Sequence, residues 1–98
     1  MIRARRKLAL AALLCCACEG PRATPRDCQQ LLDTIVAMEL AAQGYEDPAL
    51  VERKQAAARA RYSATLRSCV GRRLPEGAME CAKRARDIEA LIHRCLHE

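Results

Sequence analysis

The sequence predicts an all-α domain, a small three-helix up-down-up bundle stapled by two disulfides. Apolar residues recur at spacings of three and four in three successive stretches, and no stretch alternates like a strand. Glycine and proline separate the stretches by short connections, which makes neighbouring helices antiparallel. Four cysteines lie in these stretches, and a small domain whose residues are only 2% aromatic needs such staples.

Residues 1–17 are typical of a secretory signal peptide. Four positive charges occur between Met1 and Lys7, and an unbroken apolar run begins at Leu8. The run is about ten residues long, whereas a helix needs about 20 to cross the bilayer core. We therefore expect a leader that is removed, not a lasting membrane span.

The residues that follow the apolar run resemble the lipobox of bacterial lipoproteins. Ala17-Cys18 matches the small residue and the cysteine of that motif, and Cys16 fits less well because another cysteine precedes it. The resemblance implies lipidation of Cys18, a lipidated tether at residues 18–24 and a folded domain at 25–98. The alternative is an ordinary secretory leader, cut near Ala17 or Gly20, which would release an unanchored protein.

Helix one is predicted to begin at Pro25 and to stop at Gly44. Thr24 is a suitable N-cap, proline is favoured at the first helical position, and Asp27 lies three residues beyond the cap. The apolar face comprises Cys28, Leu31, Leu32, Ile35, Met38 and Ala42.

Helix two is predicted from Pro48 to about Cys69. Asp47 precedes that proline as a candidate cap, alanine-rich sequence fills the middle, and Gly71 ends the helix. Its apolar face is thin, and small alanines on it would let a neighbouring helix approach closely.

Helix three follows Gly77 and has the most regular apolar spacing. The positions are Ala78, Cys81, Ala85, Ile88, Ile92 and Cys95. Asp87 could cap a second short helix, so the prediction allows a bend there.

Cys28, Cys69, Cys81 and Cys95 are expected to form two disulfides, as an even number of cysteines does in an exported chain. The favoured pairing is Cys69–Cys81 with Cys28–Cys95. The alternative is Cys28–Cys69 with Cys81–Cys95. Either one requires a bend in helix three, because a straight helix separates Cys81 and Cys95 by about 21 Å, whereas a disulfide needs Cα atoms within about 7 Å. A zinc site is disfavoured because no Cys-x2-Cys knuckle is present.

The positive net charge is mostly a property of the leader. The chain has 17 Lys and Arg against 12 Asp and Glu, and four of the basic residues precede Leu8, which leaves 13 against 12. Two tyrosines are the only aromatic residues. Nucleic-acid binding, which needs a basic surface and usually stacking aromatics, is not expected.

Charge is nevertheless unevenly distributed along the domain. Eight Lys and Arg lie between Arg59 and Arg86, and six acids lie between Asp27 and Glu52. Candidate contacts to an anionic partner, such as lipid headgroups, are Arg72, Arg73, Lys83 and Arg84. The simpler interpretation is a solvated helix surface.

The sequence contains no recognised catalytic or phosphate-binding motif, so no enzyme and no cofactor is expected. His93 and His97 are spaced by one helical turn and form a weak candidate site for zinc or copper. The simpler interpretation is two exposed histidines at a helix C-terminus, where positive charge is favourable.

The chain from Cys28 to Leu96 resembles small uncharacterised lipoproteins of Gram-negative bacteria. The shared features are a leading cysteine before a helix, Cys-Val-Gly-Arg-Arg at residues 69–73, Met-x-Cys-Ala at residues 79–82 and a closing Cys-Leu at residues 95–96. The resemblance implies a disulfide-stapled helical domain on a lipid anchor and brings no activity with it. We therefore expect an envelope lipoprotein on the periplasmic side of a membrane, which acts by binding.

Overall fold

A computed structural model describes residues 21–97, so the predicted leader and the lipidation candidates Cys16 and Cys18 lie outside the described residues. The helices are α1 (Pro25–Ala42), α2 (Pro48–Arg61), α3 (Ser63–Cys69), α4 (Ala78–Arg84) and α5 (Ile88–Ala90), and α5 continues as a π-helical turn (Leu91–Cys95). Helix α1 packs against all four other helices. The predicted all-α, up-down-up arrangement is confirmed, with α1 as the first arm, α2 and α3 as the second, and α4, α5 and the π turn as the third.

The first arm begins and ends as its sequence predicts. The backbone N–H of Asp27 donates to Thr24 Oγ1 (3.0 Å), and the backbone N–H of Thr24 donates to Asp27 Oδ2 (2.9 Å). This reciprocal capping box satisfies two amide groups that the first helical turn leaves unpaired. After Ala42 the chain leaves the helix through Gly44, whose φ of +90° is a left-handed conformation that favours glycine.

The second arm breaks at Tyr62, where one continuous helix was predicted. Tyr62 has φ −102° and ψ 28°, so it closes α2 and opens α3 without helical geometry of its own. No glycine or proline lies at the break. Tyr62 N–H still donates to the Ala58 carbonyl (2.8 Å), and the Tyr62 carbonyl accepts from Leu66 N–H (2.9 Å). The backbone hydrogen bonds of the two helices therefore meet at Tyr62, although its own dihedral angles are not helical.

The third arm bends where Asp87 allowed it. Helix α4 ends at Arg84, and Ala85 is extended, with ψ 136°. Asp87 then caps α5, its Oδ1 accepting from the backbone N–H of Ala90 (2.7 Å). The bend folds the last residues back onto α4.

Two disulfides close the structure, and the favoured pairing was wrong. The bonds are Cys28–Cys69, with Cα atoms 6.1 Å apart, and Cys81–Cys95, with Cα atoms 5.4 Å apart. The second arm runs antiparallel to α1 and brings Cys69 beside the first turn of α1. The bend in the third arm returns Cys95 to Cys81 within the same arm. The alternative pairing is therefore the observed one.

The core is small and lies where α1 meets the third arm. A cluster of Leu31, Ala82, Leu91 and Cys95 forms its centre, and Leu91 is completely buried. Helices α2 and α3 contribute no buried residue. Burial is thus concentrated around the two disulfides, at one end of the molecule.

Candidate functional site

The segment ahead of α1 is bound to the loop that follows α3. Residues 21–23 lie antiparallel to residues 71–74, with a single β-bridge between Arg22 and Arg73. Three backbone hydrogen bonds join the segments, namely Ala23 N–H to Arg72 O (2.7 Å), Gly71 N–H to Ala23 O (2.8 Å) and Leu74 N–H to Pro21 O (2.9 Å). The end of the predicted tether, residues 21–24, is therefore part of the folded domain.

The local sequence explains why the loop at residues 71–74 can pair with residues 21–23. Gly71 has φ +86°, the left-handed conformation that ends α3 and turns the chain towards residue 22. Arg22 Nη1 donates to the Gly71 carbonyl (3.1 Å). Ala23 is only 3% exposed, so a small side chain is needed where the two segments meet. The Cys28–Cys69 disulfide joins the two chain segments close to this pairing, at the first turn of α1 and at the end of α3.

Five exposed arginines lie in the paired segments or within two residues of the bridged cysteines next to them, and we call them the basic face. They are Arg22, Arg26, Arg67, Arg72 and Arg73. Arg26 and Arg67 each lie two residues before a bridged cysteine, and the other three belong to the paired segments. The one acid within residues 21–28 and 67–74 is Asp27, whose carboxylate is engaged in the capping box. The junction therefore carries a concentrated positive charge.

The structure divides the four basic residues that the sequence grouped together. Arg72 and Arg73 belong to the basic face, whereas Lys83 and Arg84 lie in the last turn of α4. Lys83 Nζ forms an exposed ion pair with Glu80 Oε1 (3.4 Å). Sequence reasoning missed Arg22, Arg26 and Arg67, although the nearness of Arg26 and Arg67 to cysteines was a usable signal.

An open groove of about 1010 Å³ runs between α1 and the third arm. Its apolar wall includes Met38, Met79 and Ile88. Charged residues of both signs also line it, namely Asp33, Lys83, Arg86, Asp87 and Glu89. The groove has no single dominant charge that would select one class of ligand.

The histidine pair does not have the predicted α-helical spacing. His93 lies in the π-helical turn, which ends at Cys95, and His97 follows it. Both side chains are exposed. Among residues 21–97, no group of three or more His, Cys, Asp or Glu side chains is arranged to hold a metal ion.

The opposite end of the molecule is acidic. Four acids and no base occur between residues 39 and 52, where α1 turns into α2, and all four are exposed. We call this group, Glu39, Glu46, Asp47 and Glu52, the acidic tip. Because α1 has 18 residues and a rise of 1.5 Å per residue, the end of α1, where the tip lies, is about 26 Å from its start.

One ion pair fastens α2 to α1 between these two ends. Arg59 Nε donates to Asp33 Oδ1 (2.9 Å) and Arg59 Nη2 donates to Asp33 Oδ2 (3.2 Å), while Gln55 Nε2 donates to the Asp33 backbone carbonyl (2.9 Å). The hydrogen bonds to Asp33 raise the pKa of Arg59 above its ordinary value.

None of the helices described in residues 21–97 combines the length and the apolar character that crossing a bilayer requires. Comparison with protein-family models, with curated proteins and with solved structures found no match to this chain. Its function has to be inferred from its own residues.

Proposed function

We propose that this protein is an exported envelope lipoprotein, anchored through Cys18 on the periplasmic side of a bacterial membrane and acting by binding. The observation that carries the proposal is the pair of disulfides in a domain this small. Disulfides form and persist in oxidising compartments, of which the bacterial periplasm is one. The basic leader and apolar run supply the matching export signal.

The position of the domain relative to Cys18 supports an anchor. Only Glu19 and Gly20 separate that cysteine from Pro21, the first residue that pairs with the loop after α3. Three Cα–Cα steps of 3.8 Å span at most about 11 Å. A lipid on Cys18 would therefore hold the domain directly at a membrane surface.

Binding rather than catalysis is proposed because the surface is differentiated by charge. The basic face and the acidic tip lie at opposite ends of α1, and an open groove of mixed character lies between α1 and the third arm. Surfaces of opposite sign favour partners of complementary charge.

Intact mass tests the proposal. The full chain, expressed with its leader in a Gram-negative host, should be recovered from membranes as a chain that begins at Cys18 and carries a diacylglyceryl group and an acyl chain. Reduction should add about 4 Da, because each disulfide takes up two hydrogens.

Two single substitutions make that test specific. Cys18→Ser should abolish the added lipid mass and the membrane fractionation, whereas the matched control Cys16→Ser should leave both unchanged. A soluble, unmodified species that begins near Gly20 would instead establish the secreted, unanchored alternative.

A further inference from the structure

We propose that the basic face rests on anionic phospholipid headgroups, so that the domain stands on the membrane with its acidic tip pointing away. The inference rests on the proposed lipid anchor and goes further, because an anchor alone does not orient a domain. Three observations carry it: the position of the arginines, the free donors of Arg26, Arg67 and Arg72, and the separation of the two charged ends.

The arginines lie at the root of the chain that leads to Cys18. Arg22 is four residues beyond Cys18, and backbone hydrogen bonds join its segment to the loop that carries Arg72. The Cys28–Cys69 disulfide ties in the residues next to Arg26 and Arg67. The anchor would therefore bring the end of the domain that carries these arginines to the headgroups.

Most of these guanidinium groups have donors to offer. Within residues 21–97, Arg26, Arg67 and Arg72 make no side-chain hydrogen bond or ion pair, and Arg22 uses one donor on Gly71. Guanidinium groups match phosphate oxygens in geometry as well as in charge. Val70 lies in the same loop and is 41% exposed, which suits the apolar part of a membrane interface.

The separation of charges sets the orientation. Electrostatic attraction to a charged surface falls off within a screening length of about 10 Å at 0.1 M salt. The segment that carries Arg22 begins at most about 11 Å from Cys18 along the chain, whereas the acidic tip lies at the far end of α1, about 26 Å from the start of that helix. Inversion of the domain would bring four carboxylates to a surface of the same sign. Anionic lipid thus attracts one end and repels the other.

Two tryptophan probes can report this orientation, because the chain has no tryptophan of its own. Val70→Trp places a probe in the basic loop, and Tyr45→Trp places one at the acidic tip. Both native side chains are exposed, at 41% and 51%, so a larger side chain can extend into solvent at either position. The full chain is purified from host membranes, reconstituted into vesicles and quenched with lipid that carries a nitroxide on its headgroup.

In vesicles of phosphatidylcholine with phosphatidylglycerol, we expect strong quenching of the tryptophan at residue 70. The tryptophan at residue 45 should be quenched little, because the acidic tip points away from the membrane. In vesicles of phosphatidylcholine alone, the extent of quenching at residue 70 and at residue 45 should become similar. An arginine near an anionic surface contributes about a fivefold change in partition, so Arg67→Gln with Arg72→Gln should lower the ratio of docked to undocked domain about 25-fold. The matched control, Arg53→Gln with Lys54→Gln, removes two exposed positive charges from α2 beside Glu52 of the acidic tip and should not lower this ratio.

Flotation of the same samples separates the two proposals. A chain that does not float with phosphatidylcholine vesicles lacks its lipid, which overturns the anchor and this inference together. A chain that floats, but whose probes are quenched equally in both lipid mixtures, is anchored without electrostatic docking, and the inference alone fails. The inference also fails if the control pair of substitutions acts as strongly as Arg67→Gln with Arg72→Gln.

Discussion

The two halves of this small molecule are held together in different ways. The end that contains the basic face and the third arm has both disulfides and every residue that is buried within residues 21–97, namely Ala23, Cys28, Leu31, Ala78, Ala82, Leu91 and Cys95. The hairpin of α1 and α2 beyond Asp33 has no buried residue among those described. It is attached by the ion pair between Asp33 and Arg59 and by the half-buried side chains of Ile35 and Met38, which pack against the core.

The difference shows that a domain with a very small core can concentrate its stability at one end. Regions with few buried apolar contacts open locally at low free-energy cost, whereas the covalently closed end opens only on global unfolding. We therefore expect fast amide exchange in α2 and slow exchange around Leu31 and Leu91. Four substitutions test this contrast, from the largest expected effect to the smallest.

Removal of the Cys28–Cys69 bond, by Cys28→Ala with Cys69→Ala, should have the largest effect. This bond spans 41 residues and encloses the whole hairpin, so chain entropy assigns it about 4 kcal/mol of the free energy of unfolding. Denaturant unfolding measures the loss. Removal of Cys81–Cys95, which spans 14 residues, is the internal control and should cost about 3 kcal/mol. A larger loss of stability on removal of Cys81–Cys95 would contradict the inference that the Cys28–Cys69 bond is the main support of the hairpin.

Leu91→Ala should cost about 3 kcal/mol, because this completely buried side chain leaves a cavity beside Leu31 and Ala82. Thermal unfolding with both disulfides intact measures it. Ile92→Ala is the neighbouring control, since that side chain is 46% exposed and its loss should lie within about 0.5 kcal/mol. Equal effects at both positions would show that the core lies elsewhere.

Thr24→Ala should cost about 1 kcal/mol by removing the acceptor for the Asp27 amide. The measurement is again denaturant unfolding, with amide exchange in the first turn of α1 as a local readout. Ser63→Ala provides a control at the start of α3, where no side chain caps the helix. No difference between the two would mean that the capping box is not maintained in solution.

Asp33→Ala should lower the free energy of global unfolding the least of the four changes. Its effect should be confined to α2. Without the carboxylate, Arg59 loses both of its hydrogen bonds, and amide exchange in α2 should accelerate while that of α4 stays unchanged. Glu39→Ala removes an exposed acid of the same helix and should leave both rates alone. Faster amide exchange in α4 as well would contradict the inference that the α1–α2 hairpin opens without the third arm.

Much of the fold could be predicted from the sequence because its boundaries are local. Thr24 with Pro25, Gly71 and Asp87 act through their own backbone geometry or through bonds to residues within three positions, so single residues signal them. The break at Tyr62 gives no such signal, because neither glycine nor proline lies there.

The disulfide pairing and the basic face could not be predicted with the same certainty. Both depend on contacts between residues far apart in the chain, such as Arg22 with Arg73 and Cys28 with Cys69. Spacing along the sequence showed that a bend was needed but left two pairings open. It also grouped Lys83 with Arg72 because they are near in sequence, whereas Arg22 is the closer partner of that loop in space.

The two disulfides also determine how the domain transmits mechanical load. The shortest covalent route from Pro21 to His97 passes through Cys28 to Cys69 and through Cys81 to Cys95. Residues 29–68 and 82–94 lie outside this route. A pull between the two ends of the domain is therefore borne by covalent bonds and leaves the α1–α2 hairpin without tension. A load applied between the two ends would therefore not open the hairpin.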